Sequence, residues 1–498
     1  MEGFPVISAI IAAPLAAVII MLFLKDEMLW LVRAIAVTTT SFCLALSLYM
    51  LWAYDKGKGG YQFVERIEWV RSLGISYHVG VDGISIAMIV LTSFVIFTGV
   101  FVSWVGVKQR VREHYIFLLL LVAGVFGVFA SLDLLFFYLF YELAVIPMYP
   151  LIGIWGSANR EYATMKLTLY LSFGAVFALL GVLSLYFVAG AQTGTYTFDM
   201  IAISKLTLER SYQIKVFLPL LFGFGVLVPL APFHSWSPIG HAAAPSAVSM
   251  LHAGVLMKLG AYGILRIAMG MLPAGAQFWM PYVAVLCLIN IFYGGFVAMS
   301  RKDMKFMIGY SSSSHMGYVL LGLATLNYIG VNGAVLLMFA HGIMTALAFS
   351  LIGFIYDQAH TRMMYDFSGL AKKLPFVAIA FAIMGFASSG LPGLANFVAE
   401  LMVFIGAFKD YPFQAVIAVF GIIITATYML RCLRDVFFRE PQDRWDDLKD
   451  ATSFVERFPF VILIAVLLIV GFYPSIIVDI INTGVVPLVD KINSVPHG

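Results

Sequence analysis

From Phe4 to residue 482 the sequence is a succession of apolar stretches joined by short polar segments. Each stretch is long enough to cross a bilayer, and that pattern constrains the fold more than any other feature. Inside hydrocarbon every backbone N–H and C=O must find a partner in the protein, so only helices and closed barrels can span. The stretches here are too long and too continuously apolar for the alternation of a barrel strand. With ~20 apolar residues needed per helix, about fourteen spans are predicted. They cover 4–24, 29–53, 81–107, 115–132, 134–156, 167–190, 214–237, 243–270, 277–299, 304–326, 331–357, 375–407, 412–437 and 457–482. The composition agrees: 62% of residues are hydrophobic and 11% charged, against about 25% charged in soluble domains. The expected fold is an all-α polytopic membrane protein with the lipid bilayer as its solvent. The first run, Phe4 to Leu24, lacks a small-residue cleavage pattern and is expected to be a helix of the mature chain.

Basic residues gather in loops that face the cytoplasm. The clusters Lys108/Arg110/Arg112, Arg301/Lys302/Lys305, Arg362/Lys372/Lys373 and Arg431 to Arg457 all lie beside loops that follow odd-numbered spans. Both termini and the loop 54–80 are therefore expected on the non-cytoplasmic side. Cys43, Cys287 and Cys432 are scattered over apolar segments and form no CxxC pair. Neither a disulfide framework nor a zinc or iron–sulfur site is expected, and no Gly-rich phosphate loop follows a strand. Any redox cofactor should reside on another chain, and no nucleic-acid partner is expected.

Two spans are interrupted. The seventh contains Pro229 and Pro232, and the twelfth contains Ser388-Ser389-Gly390-Leu391-Pro392-Gly393. A proline inside a helix removes a donor and clashes with the preceding turn. Packing can absorb such a kink. Two breaks five helices apart, however, are the pattern of repeat-built transporters with an ion path at the midplane.

A charge at the bilayer centre costs roughly 2.5–3.5 kcal/mol on insertion scales, so it persists where it is paired, hydrated or functional. Glu142 lies deep in the fifth span, Lys258 in the eighth and Glu400 in the twelfth beyond Pro392. Each has a bland reading as half of a fixed ion pair, with Glu142 and Lys258 as candidate counter-ions to each other. His252 precedes Lys258 by six residues, about 240° around a regular helix, so the two do not stack on one face. His315 follows Ser311-Ser312-Ser313-Ser314 in the tenth span, and His341 lies in the eleventh. A membrane histidine can be plain helix–helix glue, yet it titrates nearest physiological pH and suits a relay. Lys166 sits near the start of the sixth span, where its long stem can snorkel. One such residue is a weak signal. Spread over helices five, six, eight, ten, eleven and twelve, they describe a line across the protein, and proton movement is the expected task.

Several stretches carry a resemblance. They are Asp133-Leu134-Leu135-Phe136-Phe137-Tyr138 through Glu142 and Pro147-Met148-Tyr149, and Leu151-Ile152-Gly153-Ile154-Trp155-Gly156. With them go Val81-Asp82-Gly83-Ile84-Ser85, Pro232-Phe233-His234-Ser235-Trp236, Ser314-His315-Met316-Gly317, Asn396-Phe397-Val398-Ala399-Glu400 and Gly471-Phe472-Tyr473-Pro474. Together they resemble the antiporter-like membrane subunits of proton-translocating NADH:quinone oxidoreductase, respiratory complex I, most of all the M-chain type. The resemblance runs over essentially the whole chain.

It implies fourteen helices with two inverted five-helix repeats and broken helices 7 and 12. Residues 1–110 would hold helices 1–3, 111–272 the first repeat, 273–440 the second, and 441–498 a loop and helix 14. It implies one proton channel, with Glu142, Lys258 and Glu400 in key roles and Lys166, His315 and His341 in support; His252 joins them on the reading of its helix. A glutamate at 400, where sister subunits carry lysine, favours the M-type. Other membrane-arm subunits, sister antiporter-like chains among them, are the implied partners in a bacterial-type inner membrane. NADH, FMN, iron–sulfur clusters and quinone would belong to partner subunits. One departure matters: the family lysine two residues before Pro229 is here Leu227, and the family's Trp-Leu-Pro-Asp-Ala-His stretch reads Trp236-Ser237-Pro238-Ile239-Gly240-His241. Glu142 thus lacks its usual intramolecular cation. The alternatives are a cation/proton antiporter subunit without redox partners, or a structural paralogue with impaired conduction.

Overall fold

The computed structural model describes residues 4–25, 27–157 and 159–496, and these are mostly helical. Ten helices among them are long and apolar enough to cross a membrane, and Val6–Leu22 and Pro375–Ser388 are shorter apolar helices. Helices differ in how far they are enclosed. Ser246–Met269 and Tyr328–Ala359 are buried throughout their most apolar stretch, and Gly83–Gly106 nearly so. Met304–Ala324 is buried along almost its whole length too. By contrast, Arg160–Thr193 shows Leu169, Phe173, Val176, Leu180 and Phe187 on its surface. An apolar stripe at helical spacing that faces outward is a lipid-facing surface. Lys258, His315 and His341 are carried by the enclosed helices, while Glu400 is buried on Ala395–Asp410, a helix that also shows Leu401, Ile405 and Phe408 on its surface.

Two elements depart from the spans read off the sequence. The expected loop 54–80 contains an antiparallel hairpin, Gln62–Val70 paired with Ile75–Val81. Gly74 makes its turn possible: it has φ +65°, and an added Cβ would stand 2.0 Å from Tyr196 O. The hairpin also does a helix terminus a service. Glu65 Oε1 accepts from the amides of Ile7 and Ser8 at 3.0 and 3.2 Å, groups at a helix start that have no intrahelical partner. The second departure is at the C-terminal end. The helix Phe454–Phe472 stops before Pro474, and a separate helix, Ser475–Asn493, follows. Proline at that point has no N–H to continue the ladder. The last helix is tied down by Lys491, which donates to Ser204 O at 2.6 Å and Gly270 O at 2.7 Å.

At both proline-containing sites the backbone leaves the helix. Arg210–Leu227 gives way to a non-helical stretch before Trp236–Ala243, and Pro375–Ser388 to another before Ala395–Asp410. The freed groups of the first are met inside the protein. Asn290 accepts from the Ala231 amide at 2.5 Å and donates to Pro229 O at 2.8 Å. Trp236 Nε1 donates to Val226 O at 2.9 Å. At the second, Ser388 O lies 3.2 Å from His315 Nε2. A backbone group in such a place with no partner costs about 1–3 kcal/mol. Asn290→Leu strands one donor and one acceptor at once, so the purified protein should lose roughly 2–4 kcal/mol of stability. An unchanged melting temperature in detergent would show that Asn290 does not hold the break.

Candidate functional site

Five of the seven residues singled out in the sequence come together in one file. Lys258 Nζ lies 2.9 Å from His341 Nδ1 and donates to Ala253 O. The rings of His341 and His315 are 5.0 Å apart. His315 Nε2 is 3.5 Å from Glu400 Oε1. Glu400 and both histidines are buried, as is Lys258. Ser311 O lies 2.9 Å from His315 Nδ1, so Ser311 fixes the ring through its carbonyl. The Ser311 hydroxyl in turn accepts from Tyr428 at 2.7 Å. The serine run thus serves the histidine through its backbone, while the Ser311 hydroxyl ties the run to Tyr428.

His252 enters from the other end. The segment His252–Leu256 is π-helical, as is Ile264–Met269 in the same helix. A π turn changes the angular spacing and commonly marks a functional site. The 240° offset expected between His252 and Lys258 therefore does not apply, and His252 lies within electrostatic range of Lys258. The His252 ring stacks on Trp236 at 5.3 Å and meets the edge of His241 at 4.2 Å. His241 Nε2 is 3.0 Å from Ser237 Oγ.

Several buried polar atoms along this file have no hydrogen-bond partner among the described residues. They are both ring nitrogens of His252, His241 Nδ1, His341 Nε2, the hydroxyls of Ser312 and Ser388, and both side-chain polar atoms of Asn396. Buried polar groups are almost always satisfied, by protein or by ordered water. Buried donors and acceptors of this kind are the groups that ordered water satisfies.

Glu142 and Lys166 stand apart from the file. Glu142 is half-buried and its hydrogen-bonding neighbour is Tyr138. On the segment Leu134–Trp155 it shares a face with Leu139, Ile146 and Tyr149, all exposed. Lys166 lies 5.8 Å from the rings of Tyr162 and Tyr170 and within electrostatic range of His234. The pairing of Glu142 with Lys258 is not formed, since Lys258 turns toward His341. Leu227 is fully buried at the end of its helix. Its helix meets Ser246–Met269 backbone to backbone: a Cβ on Gly260 would lie 2.5 Å from Phe224 O. Reading the sequence missed His241 and Asn290 as contributors. His241 was visible only as the end of an altered motif. No group of three or more His, Cys, Asp or Glu able to hold a metal occurs among the described residues.

An enclosed file of lysine, histidine and glutamate in a helical membrane protein defines an ion-translocating membrane subunit, and the comparisons agree. Residues 131–425 match the family described as NADH:quinone oxidoreductase/Mrp antiporter, TM. NADH-quinone oxidoreductase subunit M of Rickettsia conorii is 36% identical over 99% of this chain and 100% of that protein. The F(420)H(2) dehydrogenase subunit M of Methanosarcina mazei is 35% identical over 95% of this chain and 96% of its own length. A chain of respiratory complex I from Thermus thermophilus with bound NADH superimposes with a TM-score of 0.88 at 27% identity, covering 97% of this chain and 99% of that one. The chain belongs to the NADH:quinone oxidoreductase/Mrp antiporter family of membrane subunits.

Glycine is required at the Glu400 end. Gly390 has φ +68°, and a Cβ there would lie 2.7 Å from Glu400 Oε2. Gly390→Ala should therefore displace the carboxylate and cost about 1–2 kcal/mol for the left-handed backbone alone. A melting curve and a structure of the variant check this; an unmoved Glu400 would contradict it.

Proposed function

We propose that this chain is a proton-translocating membrane-arm subunit of a respiratory NADH:quinone oxidoreductase, coupling electron transfer in partner subunits to proton movement through its own file. The observation that carries this reading is the continuous line Lys258–His341–His315–Glu400, with His252 and His241 leading into it. Each member can exist with or without a proton, and each is close enough to the next for direct or one-water transfer. NADH, flavin, iron–sulfur clusters and quinone belong on this reading to partner chains. A relative that is a subunit of an F(420)H(2) dehydrogenase leaves room for another electron donor.

The fourteen-span arrangement with two inverted repeats is part of the same reading. Asp133 caps the helix that follows it, accepting from the amides of Leu135 and Phe136, and bridges to Asp199. Asp303 does the same for its helix through Lys305 and Phe306 and bridges to Met363. The same local device opens the fifth and the tenth span, as expected of repeats lying in opposite directions. The basic loops cluster by hydrogen bonding. Arg362 Nη1 reaches Ala242 O at 2.6 Å, and Gln358 bonds Lys449. That side is cytoplasmic on the reading of basic loops, and the termini lie opposite.

Glu142 acts at the lateral face, where its exposed neighbours are covered by another membrane subunit and its charge is met by a cation from that subunit. This answers the loss of the family lysine at Leu227 without requiring loss of conduction. Impaired conduction is the second reading, and Leu227 is what favours it.

A C-terminally tagged chain purified in mild detergent should bring NADH:quinone activity and iron–sulfur signals with it; a complex lacking redox centres would move the assignment to an antiporter without redox partners. Within an active complex, Glu142→Gln should leave assembly intact and strongly reduce pumping. Near-normal pumping would remove Glu142 from the mechanism.

A further inference from the structure

The file does not begin at His252. On the side of the basic loops a cavity of about 180 Å³ opens between helices, lined among others by Ser103, Trp155, Ser157, Ser246, Lys305 and Asp357. Lys305, in the first turn of Met304–Ala324, is buried, while Asp357 is exposed. Nζ of Lys305 donates to Ala244 O at 2.8 Å. An ammonium has three donors, and no carboxylate lies within ion-pair distance of this one among the described residues. Behind it the helix Trp236–Ala243 packs so closely that a Cβ on Gly309 would lie 3.0 Å from Pro238 Cα. Lys305 is thereby within electrostatic range of His241 on one side and of Asp357 on the other.

Resting on the proposed function above, we infer that Lys305 is the entry residue of the proton file: it takes protons from the water of this cavity and passes them to His241, with the Asp357 carboxylate drawing protons to the mouth. The step is a plain transfer. Through water between them, the ammonium of Lys305 gives up a proton and the free nitrogen of His241 takes one, leaving a neutral amine and an imidazolium. Water in the cavity then reprotonates the amine. From His241 the proton continues to His252 and Lys258. A lysine serving only to latch Ala244 O would need neither the cavity in front nor the unpartnered His241 Nδ1 and His252 nitrogens behind. Arg362 already latches the neighbouring Ala242 O. Lys305 is thus a relay residue, and the position of its amine between water and imidazole is its function.

Arginine separates latch from relay, because it keeps the charge and the hydrogen bond but does not release a proton. In the assembled complex, Lys305→Arg is expected to retain iron–sulfur content and to lose part of the protons moved per electron pair. A wild-type ratio in an assembled Lys305→Arg complex would overturn the inference. Should that variant fail to assemble, Asp357→Cys gives a test applied after assembly. A bulky disulfide-forming reagent attached to the introduced thiol plugs the mouth, and the ratio should fall on modification and recover with dithiothreitol; no change would overturn the inference. The wild-type complex treated alike is the control, since Cys43, Cys287 and Cys432 are buried. A wild-type complex that moves no protons would instead sink the functional reading beneath it.

Discussion

A polar group in hydrocarbon has no water to turn to, and this protein is organised around meeting that demand internally. The backbone meets it first by being helical. Where prolines break the helices, side chains take over: Asn290 for the stretch after Leu227, and the His315 ring beside Ser388. The charged side chains are answered next, by being buried against one another. Lys258, Glu400, His315 and His341 share one enclosed layer and serve as one another's environment. The demand that makes these residues costly therefore also gathers them, and on the proposed reading gathering them produces a path.

A path is not yet a pump. Moving one charge across 100 mV requires about 2.3 kcal/mol, while one pKa unit corresponds to about 1.4 kcal/mol. A swing of roughly two units at a single carrier is thus enough to work against such a potential. The lysine, imidazole and carboxyl groups here each sit beside a neighbour that itself titrates, so a charge arriving at one end alters the next site in turn. Redox events in partner subunits need only shift the charge at one end of the file.

Depth in the membrane was legible in the sequence, and facing was not. Lys258, His315, His341 and Glu400 stand out because a titratable residue inside an apolar run has few innocent uses. The same logic picked out Glu142, yet its helix turns it toward the outer face, and nothing in a single sequence reports that rotation. Asn290 passed unremarked because its partners, Pro229 and Ala231, are backbone groups far away in the chain. Lys305 looked like one more basic residue of a cytoplasmic loop, since it follows Arg301 and Lys302; only the packing of Trp236–Ala243 against its helix turns it inward. The π turn at His252 has no sequence mark, and it changes the regular spacing on which the offset to Lys258 was reckoned. The hairpin from residue 62 escaped because it lies outside the long apolar runs on which the reading was based, and the helix after Pro474 because the run 457–482 was read straight through the proline.

The central claim is that the file centred on Lys258 carries protons. Lys258→Met keeps the length of the side chain and removes its titration. In inside-out membrane vesicles, wild-type and variant complexes would be compared at matched iron–sulfur content for protons taken up per NADH oxidised. The account predicts a lower ratio in the variant with the redox subunits still assembled. An unchanged ratio would mean that protons cross this protein elsewhere, or not at all.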